Sequence, residues 1–176
     1  MAGPGLIALA AGALVLAAVD PAGSYPSAWQ GPGLTVDERF NVAEGVRLAA
    51  GLQAVAAGGV RLTELFNDDN RPAVRDLVGN HLADHPPLGR VWIGASHDVA
   101  RRLAPPHEPD GPFAVACART GPAVAFALSV FLVGWAAAWW YGTAAGVIAA
   151  ASLVLMPRVF GHAHLASLET FIGLTY

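Results

Sequence analysis

A chain of 176 residues that is 55% hydrophobic, with positive mean hydropathy, is too apolar for an ordinary soluble domain. Its net charge of −3 excludes the basic surface that nucleic acid requires, and its single cysteine, Cys117, excludes a disulfide framework or a thiolate metal cluster. All ten basic residues are arginines, a bias without functional weight.

Residues 2–19 are uncharged and nearly all apolar, long enough to cross a hydrocarbon core of about 30 Å as a helix. A cleaved signal peptide would carry a basic start, but the first arginine is Arg39, so a retained transmembrane helix is expected. Residues 20–33, with Pro21, Pro26 and Pro32, form an irregular connection.

Thr35 followed by Glu38 is a capping box and predicts that a helix starts here. From that start Val36, Phe40, Ala43 and Ala50 fall near one face, with Asp37, Asn41 and Glu44 opposite. On its own the Asp37–Glu38 pair reads as a cap at the positive end of a helix. Gly58-Gly59 interrupts the pattern. The Asn67-Asp68-Asp69-Asn70 run reads as a cap for a further helix near Pro72, lacking the glycine and distal glutamate of a calcium loop.

His81 and His85 have the spacing of two ligands on one helical face, but Pro86 biases His85 away from helical geometry. A hydrogen-bonded or solvated pair is therefore expected rather than a zinc site. Beyond Pro86-Pro87, Leu88 to Leu103 is amphipathic, with Val91, Trp92, Ala95 and Val99 on one side. Trp92 beside Arg90 suits a membrane interface. Pro105-Pro106 ends the helix.

From Phe113 to Met156 the only charge is Arg119. This run is too long for one span and divides at Trp139-Trp140-Tyr141-Gly142, which predicts helices over 117–138 and 143–157. Residues 158–169 are polar again, and residues 170–176 start another apolar helix. Parity then puts Asp37, Glu38, His85, His162, His164 and Glu169 on one side of the membrane. The arginines lie mostly in the first loop, which is too long for the positive-inside rule to count.

Taken together, these motifs resemble glycosyltransferase family 39, the protein O-mannosyltransferases and lipid A aminoarabinose transferases of the GT-C membrane fold. Asp37-Glu38-Arg39-Phe40 through Arg47 is similar to the family's Asp-Glu motif and its helix. His85-Pro86-Pro87-Leu88-Gly89 is similar to the mannosyltransferases' His-Pro-Pro-Leu-Gly, and Ala118-Arg119 to the Ala-Arg opening the next span. Met156-Pro157 to Glu169 resembles the stretch after the third span, with Glu169 where the family often has Asp.

The resemblance implies an all-α polytopic protein. Residues 1–19 form the first transmembrane helix, 20–112 an extracytoplasmic loop with juxtamembrane helices, and 113–157 a transmembrane hairpin; 158–169 are extracytoplasmic and 170–176 begin a truncated span. Residues 51–80 read as an insertion, and the chain as an N-terminal fragment, inactive alone, of an enzyme with about a dozen spans. It implies a bacterial inner-membrane enzyme with its site facing the periplasm. That enzyme moves a sugar from a polyprenyl-phosphate donor to a protein or lipid/glycan acceptor with inversion, with no nucleic-acid partner. Asp37 is the implied base and Glu38 its neighbour in the catalytic pair, with capping as its main task, so Glu38→Gln is expected to cost less than Asp37→Asn. His85, Arg90, Arg158, His162, His164 and Glu169 are the implied substrate-binding residues. No metal ligand set is assigned; a divalent ion is compatible with the motifs but not indicated. Two other classes share these features: a non-enzymatic membrane protein with a partner-binding external loop, and part of a metal transporter using His81, His85, His162 and His164.

Overall fold

A computed structural model describes residues 2–19, 35–65, 87–105 and 114–175. Among them the chain is all helical, as expected. The helices are α1 (Ala2–Val19), α2 (Val36–Ala56), α3 (Leu62–Leu65), α4 (Pro87–Leu103), α5 (Val115–Tyr141), α6 (Thr143–Val154), α7 (Pro157–His162) and α8 (Glu169–Thr175). Two of these, α1 and α5, are long and apolar enough to cross a membrane, with 18 and 27 residues and mean hydropathies of 2.1 and 1.8. The equally apolar α6 has 12 residues, a rise of only about 18 Å.

Helices α1, α5 and α6 pack through small residues. A Cβ added at Gly134 would lie 2.8 Å from Pro4 and 2.9 Å from Ala150, and one at Gly12 would lie 2.9 Å from Ala127. Such close backbone approach is how apolar helices associate where burial from water supplies no drive. Val15, Ala123, Phe126, Val130 and Ala150 fill the space between them. The hairpin turns at Gly142, whose φ of 91° is one that a Cβ makes costly. Helix α5 runs on through the exposed Trp139, Trp140 and Tyr141; the expected end at 138 falls short because these aromatics continue the helix.

Helix α6 stops at Val154 rather than at the expected residue 157. Pro157 excludes helical geometry for the residue before it, and Met156 is accordingly extended (φ −75°, ψ 108°) and opens α7 with Pro157 in the first turn.

Helices α2 and α4 cross in backbone contact: a Cβ at Gly45 would fall on the Arg90 carbonyl oxygen, and one at Gly94 on the Gly45 carbonyl. The two faces of α2 are present, and the polar one is turned inward. Glu38, Asn41, Glu44, Gly45 and Leu48 are buried, while Val36 is 76% and Phe40 57% exposed. The cause is that the polar edge finds partners on α4, α5 and the turn after α7, whereas the Val36–Phe40 edge has none among the described residues. Helix α4 repeats the pattern. Arg90, Gly94 and His97 are buried among its inner residues, and Leu88, Val99 and Leu103 are exposed. The stripe of Val91, Trp92, Ala95 and Val99 exists, but it is divided: Val91 and Trp92 pack against clusters that include Leu48 and Val42 of α2, while Ala95 and Val99 are exposed. Trp92 is tied to α5 by a 3.1 Å hydrogen bond from its indole N–H to the Gly121 carbonyl.

Candidate functional site

Thr35 caps α2 as expected. Its hydroxyl accepts the Glu38 N–H at 3.4 Å, and its own N–H donates to Glu38 Oε2 at 2.9 Å. The carboxylate does far more than cap. Arg119 donates to it from both ends of the guanidinium, Nε to Oε1 at 2.7 Å and Nη2 to Oε2 at 2.8 Å. The Ala166 N–H donates to Oε1 at 2.7 Å. Such a two-pronged Arg–carboxylate pair is among the strongest and most directional of polar contacts.

Glu38 is fully buried and Arg119 is 6% exposed. Burial pushes the Glu38 carboxyl up, but the Arg119 guanidinium and the Thr35 and Ala166 amides outweigh it and hold the group below the ordinary carboxylate range. Both faces of the Ala166 peptide are held, since its carbonyl accepts from Asn41 Nδ2 at 3.5 Å. Asn41 in turn accepts from Arg90 Nε at 3.4 Å. Arg90, 3% exposed, thus directs its charge into this network. Asp37 stands one residue before Glu38 and is exposed, in the first turn where the helix dipole favours an anion. Of the Asp37–Glu38 pair, one carboxylate is locked in and the other faces out.

A second cluster gathers on α7 and α8. Arg158, His162 and Glu169 share a cavity of about 310 Å³ with Phe126, Ser129, Leu153 and Thr170. His162 Nδ1 lies 3.9 Å from Glu169 Oε2, beyond hydrogen-bond length. That nitrogen and the Thr170 hydroxyl are buried without a hydrogen-bond partner among the described residues, so the cavity keeps polar capacity for another group. Arg158 and His162 also border an open hollow of about 590 Å³ with His164 and Leu165. His164 is engaged locally, its Nδ1 donating to the Phe160 carbonyl at 2.8 Å with the rings 4.8 Å apart. His81, His85 and residues 67–70 lie outside the described residues. No group of three potential metal ligands occurs among the described ones.

Arg119, Asn41 and His97 were not singled out as site residues from the sequence. Arg119 had a signal, being the lone charge in the apolar run, which obliges it to find a counter-ion. For His97 there was none. It is 1% exposed, accepts the Ala114 N–H at the start of α5 (3.2 Å), and directs Nδ1 to Asp98 Oδ1 at 3.1 Å.

No protein-family model, no curated protein and no solved structure matches the chain.

Proposed function

We propose that this chain belongs to a polytopic membrane glycosyltransferase of the family 39 type, moving a sugar from a polyprenyl-phosphate donor to a protein or lipid/glycan acceptor with inversion. One observation carries the reading. Three motifs far apart in sequence, the Asp-Glu pair, Ala118-Arg119 and the stretch after α6, meet at the Glu38 carboxylate.

Glu38 has its lone pairs committed to Thr35, Arg119 and Ala166, which makes it a positioning residue. Its contribution is to fix the first turn of α2, and with it the outward carboxylate of Asp37. An inverting transfer needs a base that takes the acceptor proton as the anomeric carbon is attacked, and Asp37 is the exposed carboxylate of the pair. It also needs cations near the departing phosphate. Arg158 and His162, at the wall of two hollows, are suited to this; Arg90, directed inward onto Asn41, serves the scaffold.

Sugar transfer from a labelled polyprenyl-phosphate donor, in membranes from cells expressing the intact gene, tests the proposal. Asp37→Asn is expected to lower the single-turnover rate about 10²–10⁴-fold, with thermal stability within about 0.5 kcal/mol of the unaltered protein, as for an exposed surface change. Unchanged turnover in Asp37→Asn would overturn the reading.

A further inference from the structure

Helix α4 buries its polar edge and leaves its apolar edge outward, and that edge is one wall of a groove. The other walls are α1 and α5. Leu16, Leu88, Trp92, Val99, Leu103 and Val124 line a space of about 560 Å³. Besides the Ser96 hydroxyl, the side-chain donors at its wall are used internally: the Trp92 indole N–H is held by the Gly121 carbonyl, and the Thr120 hydroxyl by the Cys117 carbonyl at 2.7 Å. A peptide or a sugar would find almost nothing there to pair with. A hydrocarbon chain needs nothing.

We propose that this groove seats one acyl chain of an anionic bilayer phospholipid, whose headgroup pairs with Arg101 and Arg102. Three observations select this occupant. Two walls are helices of membrane-crossing length and hydropathy, so the groove opens where lipid tails are. At about 30 Å³ per water-sized group, 560 Å³ takes roughly eighteen such groups, the scale of a single long tail. The last turn of α4, which carries the groove residues Val99 and Leu103, ends on the exposed Arg101 and Arg102, and exposed arginines at the edge of an amphipathic helix favour anionic headgroups. The proposal is independent of sugar transfer and names no residue of the Asp37 or Arg158 clusters.

The test uses the purified chain in vesicles of phosphatidylglycerol and phosphatidylcholine, with a trace of phosphatidylglycerol bearing a photoreactive group in its tail. Labelled peptides are mapped by mass spectrometry. Label is expected to concentrate in Leu88–Leu103 and Thr120–Val124 over the outer α5 stripe at Leu128 and Leu132. Ala95 is exposed in the groove wall, so Ala95→Trp fills the space without entering the core. Displacing the room for two methylenes should reduce groove labelling about tenfold, and Val99→Phe should act in the same direction. Arg101→Gln combined with Arg102→Gln should keep labelling by a phosphatidylcholine probe and lose the preference for phosphatidylglycerol. Equal labelling of groove and outer stripe, no loss in either groove-filling variant, or an unlabelled groove covered by protein would each overturn the proposal.

Discussion

Two halves of this molecule solve the same problem, holding helices together, in opposite ways. The α1–α5–α6 side packs alanines and glycines, with almost no side-chain hydrogen bond crossing it; Ser129, for one, bonds back to Ala125 on its own helix. The α2–α4 side packs a carboxylate, two guanidiniums and an amide, joined in a network that reaches α5 and the turn at Ala166. Apolar packing through small residues tolerates sliding, because neighbouring registers look alike. A polar network has one geometry in which every partner is satisfied. The difference teaches where this protein needs a fixed position: at the first turn of α2.

The comparison breaks first at Arg119. Arg119→Met leaves the Glu38 carboxylate buried and uncompensated, and should destabilise the protein by about 3–5 kcal/mol, read as a lowered thermal midpoint in detergent. Here the structure revises the sequence-based expectation that Glu38→Gln is mild, because a glutamine amide would direct N–H groups at donors. That variant should also lower the midpoint, and a midpoint unchanged in both would mean that the network does not hold α2.

Glycine substitutions sharpen the contrast. Gly94→Ala puts a Cβ on the Gly45 carbonyl, a backbone clash that only separation of α2 and α4 relieves, costing about 1–3 kcal/mol or more. Gly12→Ala meets the Ala127 methyl at 2.9 Å, where two apolar helices can shift slightly. Its gain in helix propensity, about 1 kcal/mol, offsets much of the strain. Melting curves of the two variants should therefore differ clearly, and equal midpoints would erase the distinction between the halves.

The smallest effect near neutrality is that of pH. Because the Glu38 carboxyl sits below its ordinary value, its stabilisation is complete above the unfolded carboxylate range. It is lost as pH falls through the lowered native value. Stability should stay level from neutral pH down to the ordinary glutamate range and then decline, and Glu38→Gln should flatten that acid limb. A decline beginning near neutrality would point to another group.

What the sequence made legible was local. The capping box needs only Thr35 and Glu38, three residues apart, and it is present with both of its hydrogen bonds. The starts of α4 and α6 followed from proline and glycine for the same reason. The buried face of α2 was not legible, because assigning it from periodicity presumes that water lies outside. Arg119 announced that it needed a counter-ion but not which one, since Glu38 is 81 residues away. The docking of Ala166 was invisible for a further reason: it uses a backbone amide, which every residue except proline has.

The shortness of α6 has a consequence for the membrane itself. With α5 across a bilayer, as proposed, its 27 residues rise about 40 Å, while the 12 of α6 return only about 18 Å from the same hairpin. The break at Met156-Pro157 and the charge of Arg158, which shares its cavity with Ser129 and Val133 of mid-α5, then meet lipid phosphates, as the proposed transfer requires, only if the bilayer is thinned beside them. A cation at that depth is accommodated by thinning of the surrounding lipid and inward penetration of water. The α6–α7 edge would thus impose a local dimple on its bilayer, giving the protein a preference for thin membranes over thick ones.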